Sequence, residues 1–257
     1  MGLRAFFQEV STDLQENEGG PAWDWRDFFS LIAISALLTV FYYWGRPRFY
    51  RRSLQNDLSS WFETGGDDLL FGVLPYSYWA VASVVIRMLI PVFIIVVLFR
   101  EPIRDYGYRI KGAVAHGKIY LLLYAVMFPV VLGVSFTRSF QHKYPFYKNA
   151  MLGADHFLTY QLFYGVQFVA LEAFFRGFML FALHRRFGYY AIPIMTIPYC
   201  MIHFGKPPAE TFGAIIAGLA LGYLALKSKS WVYGAALHWG IGITMDLLAI
   251  LQKGGFK

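Results

Sequence analysis

The stretch FVALEAFFRGFML, residues 168–180, holds Glu172 and Arg176 one helical turn apart in a run that is otherwise apolar. At a soluble surface such a pair contributes a few tenths of a kcal/mol. In an apolar helix the base instead neutralises or orients a carboxylate where water is scarce. Two more ionisable groups sit in similar surroundings. His203 follows a segment that Pro193 and Pro198 disturb and that Pro207 and Pro208 stop, while His238 lies inside ALHWGIGITMD. Irregular backbone at membrane depth is tolerated only around cavities or protein interiors. Glu and His are side chains that exchange protons, and one acid with two imidazoles on three apolar segments points to a shared polar cavity. An ion-pair lock between helices would account for Glu172 and Arg176 alone but leaves both histidines over.

The elements that position these groups follow from composition. The chain has 257 residues, 57% hydrophobic and 15% charged, with mean hydropathy +0.45. Apolar runs of about 20 residues are long enough to cross a bilayer as helices. They lie at 28–44, 78–99, 119–136, 157–183, 189–204, 212–226 and 231–251. No alternating segments suggest a barrel. The expected fold is all-α, a polytopic membrane helical bundle of about seven to eight transmembrane helices, the eighth arising if the long fourth run contains a break.

One membrane domain is expected over 28–251, with its polar core at 157–251, a tail at 252–257 and an N-terminal interfacial or flexible segment at 1–27. In that first segment Leu3, Phe7, Val10 and Leu14 share a helical stripe. The opening residues lack the apolar core of a secretory signal, so insertion should begin at the first span. The polar stretch 46–74 reads as a loop with a short interfacial helix near 54–62. The net charge of +7 is scattered over connectors, which excludes a nucleic-acid patch and makes lipid headgroups the counterpart. The basic connectors RPRFYRR and REPIRDYGYRIKG would face opposite sides, so they do not orient the bundle. Cys200 is the single cysteine, which rules out an intramolecular disulfide and a thiolate cluster.

The two halves differ. Up to Phe136 the spans carry one ionisable group, Arg87, expected to snorkel or to pair with a carboxylate; the later ones carry Glu172, Arg176, His203, His238 and Asp246. A charge at helix centre costs about 2.5–3.5 kcal/mol on insertion scales, so each needs a partner or a wet cavity. Asp246 reads either as a supporting partner of the site or as a bystander at the helix end. Glu210, in KPPAE, reads as a solvated loop charge or an extra acid at the entrance. Ala214, Gly218 and Gly222 form a small-residue stripe that permits close helix approach.

EAFFRGF, YCMIHF and LHWGIGITMD together resemble the three motifs of the CAAX protease and bacteriocin-processing family of intramembrane endopeptidases, related to the Ras-converting CAAX prenyl protease. The family pattern is two adjacent Glu with an Arg five after the first, Phe with His four later, and His with Asn four later. Arg176 sets the register: Glu172 takes the second Glu position and Leu171 the first, Tyr199 stands for Phe, and Gly242 stands for Asn.

The resemblance implies hydrolysis of a peptide bond in a membrane-associated or lipidated protein. Glu172, assisted by His203, would activate water, His238 would donate to the oxyanion, and Arg176 would hold the acid. No cofactor is firmly implied; the same Glu172, His203 and His238 would also make a two-His, one-carboxylate zinc site. The expected partners are the protein substrate and the bilayer, with no nucleic acid, and the expected location is an integral multi-pass membrane protein, in the inner membrane for a bacterial chain. Two other classes remain beside it: a family member with altered chemistry acting as a scaffold, and a proton or ion transporter using the same polar cavity.

Overall fold

The computed structural model describes residues 24–61, 63, 65, 68–110 and 116–256. The stripe of Leu3, Phe7, Val10 and Leu14 lies outside them. Among the described residues every regular element is helical.

Helix α1 (Trp25–Trp44) starts at Asp24, whose carboxylate accepts from the Arg26 amide at 2.8 Å. This satisfies one of the donors that a helix N-terminus leaves open. The polar stretch that follows holds α2 (Pro47–Ser53) and α3 (Gln55–Trp61). Asp68 then caps α4 (Leu69–Leu98), accepting from the Phe71 amide at 3.1 Å. The second span thus begins well before the expected Tyr78. Two π-helical turns interrupt α4, at Val85–Leu89 and Ile94–Leu98. Helix α5 (Gly117–Ser135) and the short α6 (Arg138–Lys143) come next.

Helix α7 (Ala154–Glu172) continues through a π-helical stretch, Ala173–Met179, into α8 (Leu180–Phe187). The chain breaks at Gly188, where φ is 53° and ψ −137°, a backbone conformation that a side chain would strain. Beyond it lie α9 (Ala191–Met201), α10 (Pro208–Ser228) and α11 (Val232–Gln252).

All seven apolar runs read from the sequence are helical. The fourth and fifth join into one stretch, Ala154–Met201, so six stretches are long and apolar enough to cross a membrane. That joined stretch has 48 residues, which at 1.5 Å each is roughly 72 Å, more than twice a hydrocarbon core. The Gly188 break is what lets it fold back, bringing α8 against α9 and α1.

Helix α7 is the axis of the bundle. It packs against α4 and α11, and 83% of the best apolar window in its stretch is buried, compared with 11% to 44% in the other five. Those outer helices leave large apolar side chains uncovered, such as Val81, Leu121 and Ile216, as a lipid-facing surface requires.

The backbone of α10 lies directly against side chains of α9. A Cβ at Gly218 would lie 2.6 Å from Thr196 Cγ2, and one at Gly222 would lie 2.9 Å from Ile192 Cγ2. Gly218→Val is therefore expected to destabilise the protein by about 1–3 kcal/mol through overpacking, read as a lower thermal midpoint in detergent. Gly213 has no atom within 4 Å of its would-be Cβ, and Gly213→Val serves as the control that should leave the midpoint nearly unchanged.

Candidate active site

Three helices bring the polar groups together. Glu172, at the last turn of α7, is fully buried, and Arg176 lies one turn on in the π-helical stretch at 1% exposure. Arg176 Nη1 donates to Glu172 Oε1 at 2.8 Å. The guanidinium carbon stands 3.7 Å from the ring centroid of Tyr199 on α9, so an aromatic face shares the burden of the buried cation. The pair is thus an internal one, which answers why an apolar helix carries it.

The same Oε1 faces His238 Nδ1 on α11 at 2.8 Å. A carboxylate accepts, so this nitrogen carries the proton and Nε2 is left for other partners. His203, in the turn after α9, donates from Nδ1 to the Tyr199 carbonyl at 2.8 Å. Its Nε2 is likewise free to accept. The two imidazole rings lie 6.4 Å apart, 13° from parallel, and the Phe168 ring packs on His238 at 4.4 Å.

His203 and His238 both line a cavity of about 540 Å³, together with Leu171, Gln167, Phe168 and Tyr164. Glu172 is not among its lining residues: it stands behind His238, with Oε2 buried and unpartnered, as are Arg176 Nε and Nη2. Of the two motif positions on α7, it is Leu171, the residue in the first Glu position, whose side chain lines the cavity.

Gly242, in the Asn position, has a packing reason. A Cβ there would meet Phe168 Cε2 at 3.0 Å and Tyr164 Cε1 at 3.2 Å. The aromatic rings of α7 occupy the space that a longer side chain on α11 needs.

Among the described residues no three His, Cys, Asp or Glu side chains come together as a metal-binding group. Glu172 Oε1 is already engaged by Arg176 and by His238 Nδ1. The zinc set of Glu172, His203 and His238 therefore does not fit this arrangement, and no step is derived through a metal.

The two other acids have different surroundings from those expected. Asp246 is fully buried and makes no contact with His238. Its Oδ1 accepts from the Phe146 amide at 2.7 Å and its Oδ2 from Gln161 Nε2 at 2.9 Å. It ties the α6–α7 connector and α7 to α11. Glu210 is in the first turn of α10 instead of a solvated loop. It pairs with Lys206 Nζ at 2.5 Å and accepts from Tyr144 Oη at 2.7 Å. Burial, and then the Glu210 charge, raise the Tyr144 phenol well above its ordinary value, so it stays a donor. Neighbouring Lys143 has its ammonium lowered by burial and by Lys206. Cys200 Sγ sits 3.7 Å from the Thr211 carbonyl and serves packing.

Sequence reasoning did not foresee the part played by Tyr199, which supplies both the face under Arg176 and the acceptor for His203. The only signal was its place one turn before His203. The Tyr144–Glu210 contact joins residues 66 apart, and nothing in local spacing reveals it.

The carboxylate of Glu172, the two imidazoles and the cavity that His203 and His238 line thus lie within a bundle whose six long apolar helical stretches fit an integral multi-pass membrane protein. Residues 155–244 match the family model described as type II CAAX prenyl endopeptidase Rce1-like. Over that segment the chain is similar to the CAAX protease family. No curated protein and no solved structure matches the chain.

Proposed function

We propose that this protein is an intramembrane endopeptidase that hydrolyses a peptide bond of a membrane-associated or lipidated protein, using water activated by histidine. The observation that carries this reading is the pair of near-parallel imidazoles, each held at Nδ1, on one cavity.

In this reading His203 Nε2 takes the proton of the attacking water as general base. His238, in its protonated form, donates from Nε2 to the oxyanion of the tetrahedral intermediate. Glu172 is the positioning carboxylate: it fixes the His238 tautomer and stabilises the imidazolium, and Arg176 holds Glu172. The proton on His203 then passes to the leaving amine.

Leu171 supplies the test. Leu171→Glu places a carboxylate on the wall of the cavity that both histidines line, where it is offered to the attacking water as a second proton acceptor. The measurement is cleavage of a fluorogenic prenylated peptide by protein in liposomes. The variant is expected to cleave at least as fast as the parent, with a gain on the order of 10-fold from a second proton acceptor. Absence of cleavage in both parent and variant would favour the second reading, a noncatalytic scaffold, which the leucine and glycine at two motif positions recommend.

A further inference from the structure

Arg87 is a buried charge that the histidine site does not use. It sits in the π-helical turn of α4 at 4% exposure, with its guanidinium carbon 3.4 Å from the Phe41 ring centroid. Among the described residues no carboxylate is ion-paired to it, and its Nε is buried without a hydrogen-bond partner. It neither snorkels to a surface nor pairs with an acid, the two outcomes its sequence position suggested. At such depth a charge persists only with a partner or a wet cavity.

Arg87 lines the same cavity as the histidines. So do Arg46, Lys143 and Lys206, while no Asp or Glu does. Lys206 is matched by Glu210. Arg46 lies 5.0 Å from the Tyr42 ring centroid and Lys143 5.3 Å from that of Phe146, and neither has an ion pair among the described residues. The cavity is thus cationic, with Arg87 as its most deeply buried charge.

The remaining walls are apolar or aromatic, with Leu38, Phe41, Trp79 and Phe146 among them. Other lining residues, Tyr42, Tyr43, Met201 and Phe204, are more than half exposed on the outer surface of the bundle. That rim gives an apolar chain a route in from lipid. A guanidinium presents a planar fork of donors that matches the oxygens of a carboxylate or phosphate.

We propose that Arg87 is the anion-binding residue of this cavity and receives the phosphate or carboxylate of an anionic amphiphile entering from the bilayer. The apolar walls hold the tail, and Arg46 and Lys143 add attraction for the headgroup. This assignment is separate from hydrolysis, because binding is read without turnover; either can fail while the other stands.

The test is calorimetric titration of the full chain in an uncharged detergent with dodecyl phosphate, dodecanoate, dodecanol and inorganic phosphate. Dodecyl phosphate or dodecanoate is expected to bind at least about 10-fold tighter than dodecanol, the size of one charge-assisted contact. Whichever of the two anions binds tighter identifies the headgroup as phosphate or carboxylate. Arg87→Gln should remove the advantage while leaving dodecanol within about 2-fold, and Arg87→Lys should keep part of it. Equal affinity of the parent protein for dodecanol and for both anions would overturn the proposal, and this comparison stands even if the Arg87→Gln variant fails to fold. An undiminished preference in a folded Arg87→Gln protein would overturn it too. Inorganic phosphate binding as tightly as dodecyl phosphate would overturn the amphiphile as ligand.

Discussion

His238→Ala is expected to lower peptide hydrolysis by about 100-fold or more, the usual contribution of a positioned acid or base. The expectation follows from the free Nε2 of an imidazole whose Nδ1 is tied to Glu172 at 2.8 Å and which lines the cavity beside His203. Removal of the ring takes away the donor for the oxyanion and leaves Glu172 without one of its two hydrogen-bond partners. The fall should appear in kcat with little change in KM, because the interaction develops only in the transition state. His203→Ala should do the same, and the double variant should lose little more than either single one, since the two rings act in one chemical step. A His238→Ala protein that cleaves at the parent rate would remove histidine from the chemistry. One that keeps more activity than Glu172→Gln would make the carboxylate the group that meets the water.

The second large effect is on stability. Glu172→Ala strands the Arg176 guanidinium at 1% exposure with the Tyr199 ring as its remaining support. Breaking a buried pair by deleting one partner typically costs about 3–5 kcal/mol, whereas replacing both partners by apolar groups is often neutral. The single variant should therefore unfold at a markedly lower temperature or denaturant concentration. Glu172→Ala combined with Arg176→Met should recover most of the loss while remaining inactive. Glu172→Gln should be milder for stability, because its amide oxygen still accepts from Arg176 Nη1. If the double variant is no more stable than Glu172→Ala, the orphaned cation is not the cause of the loss.

These experiments separate two roles that the motif alone merges. In the sequence, Glu172 is the only acid beside Arg176 and takes the natural place of a base. In the folded chain it is one layer back from the cavity, and the surface it would need is occupied by Leu171. A rotation of the helix by one residue, about 100°, decides which of two neighbours meets the substrate.

Much was legible in the residues themselves. Long apolar runs demand helices in lipid, because each backbone donor and acceptor must be satisfied within its own segment. The i,i+4 spacing of Glu172 and Arg176 dictates a same-face pair, and the Gly218 and Gly222 spacing dictates close contact with another helix. Those are local consequences of covalent geometry. What only the tertiary structure decided are contacts between segments distant in sequence. Asp246 ties down Phe146 and Gln161 and does not touch the histidines, Glu210 binds Tyr144, and Arg87 faces the cavity over Phe41. Each depends on the rotation of one helix against another. Helix rotation is set by how whole side-chain surfaces interlock, and no spacing along one segment records it.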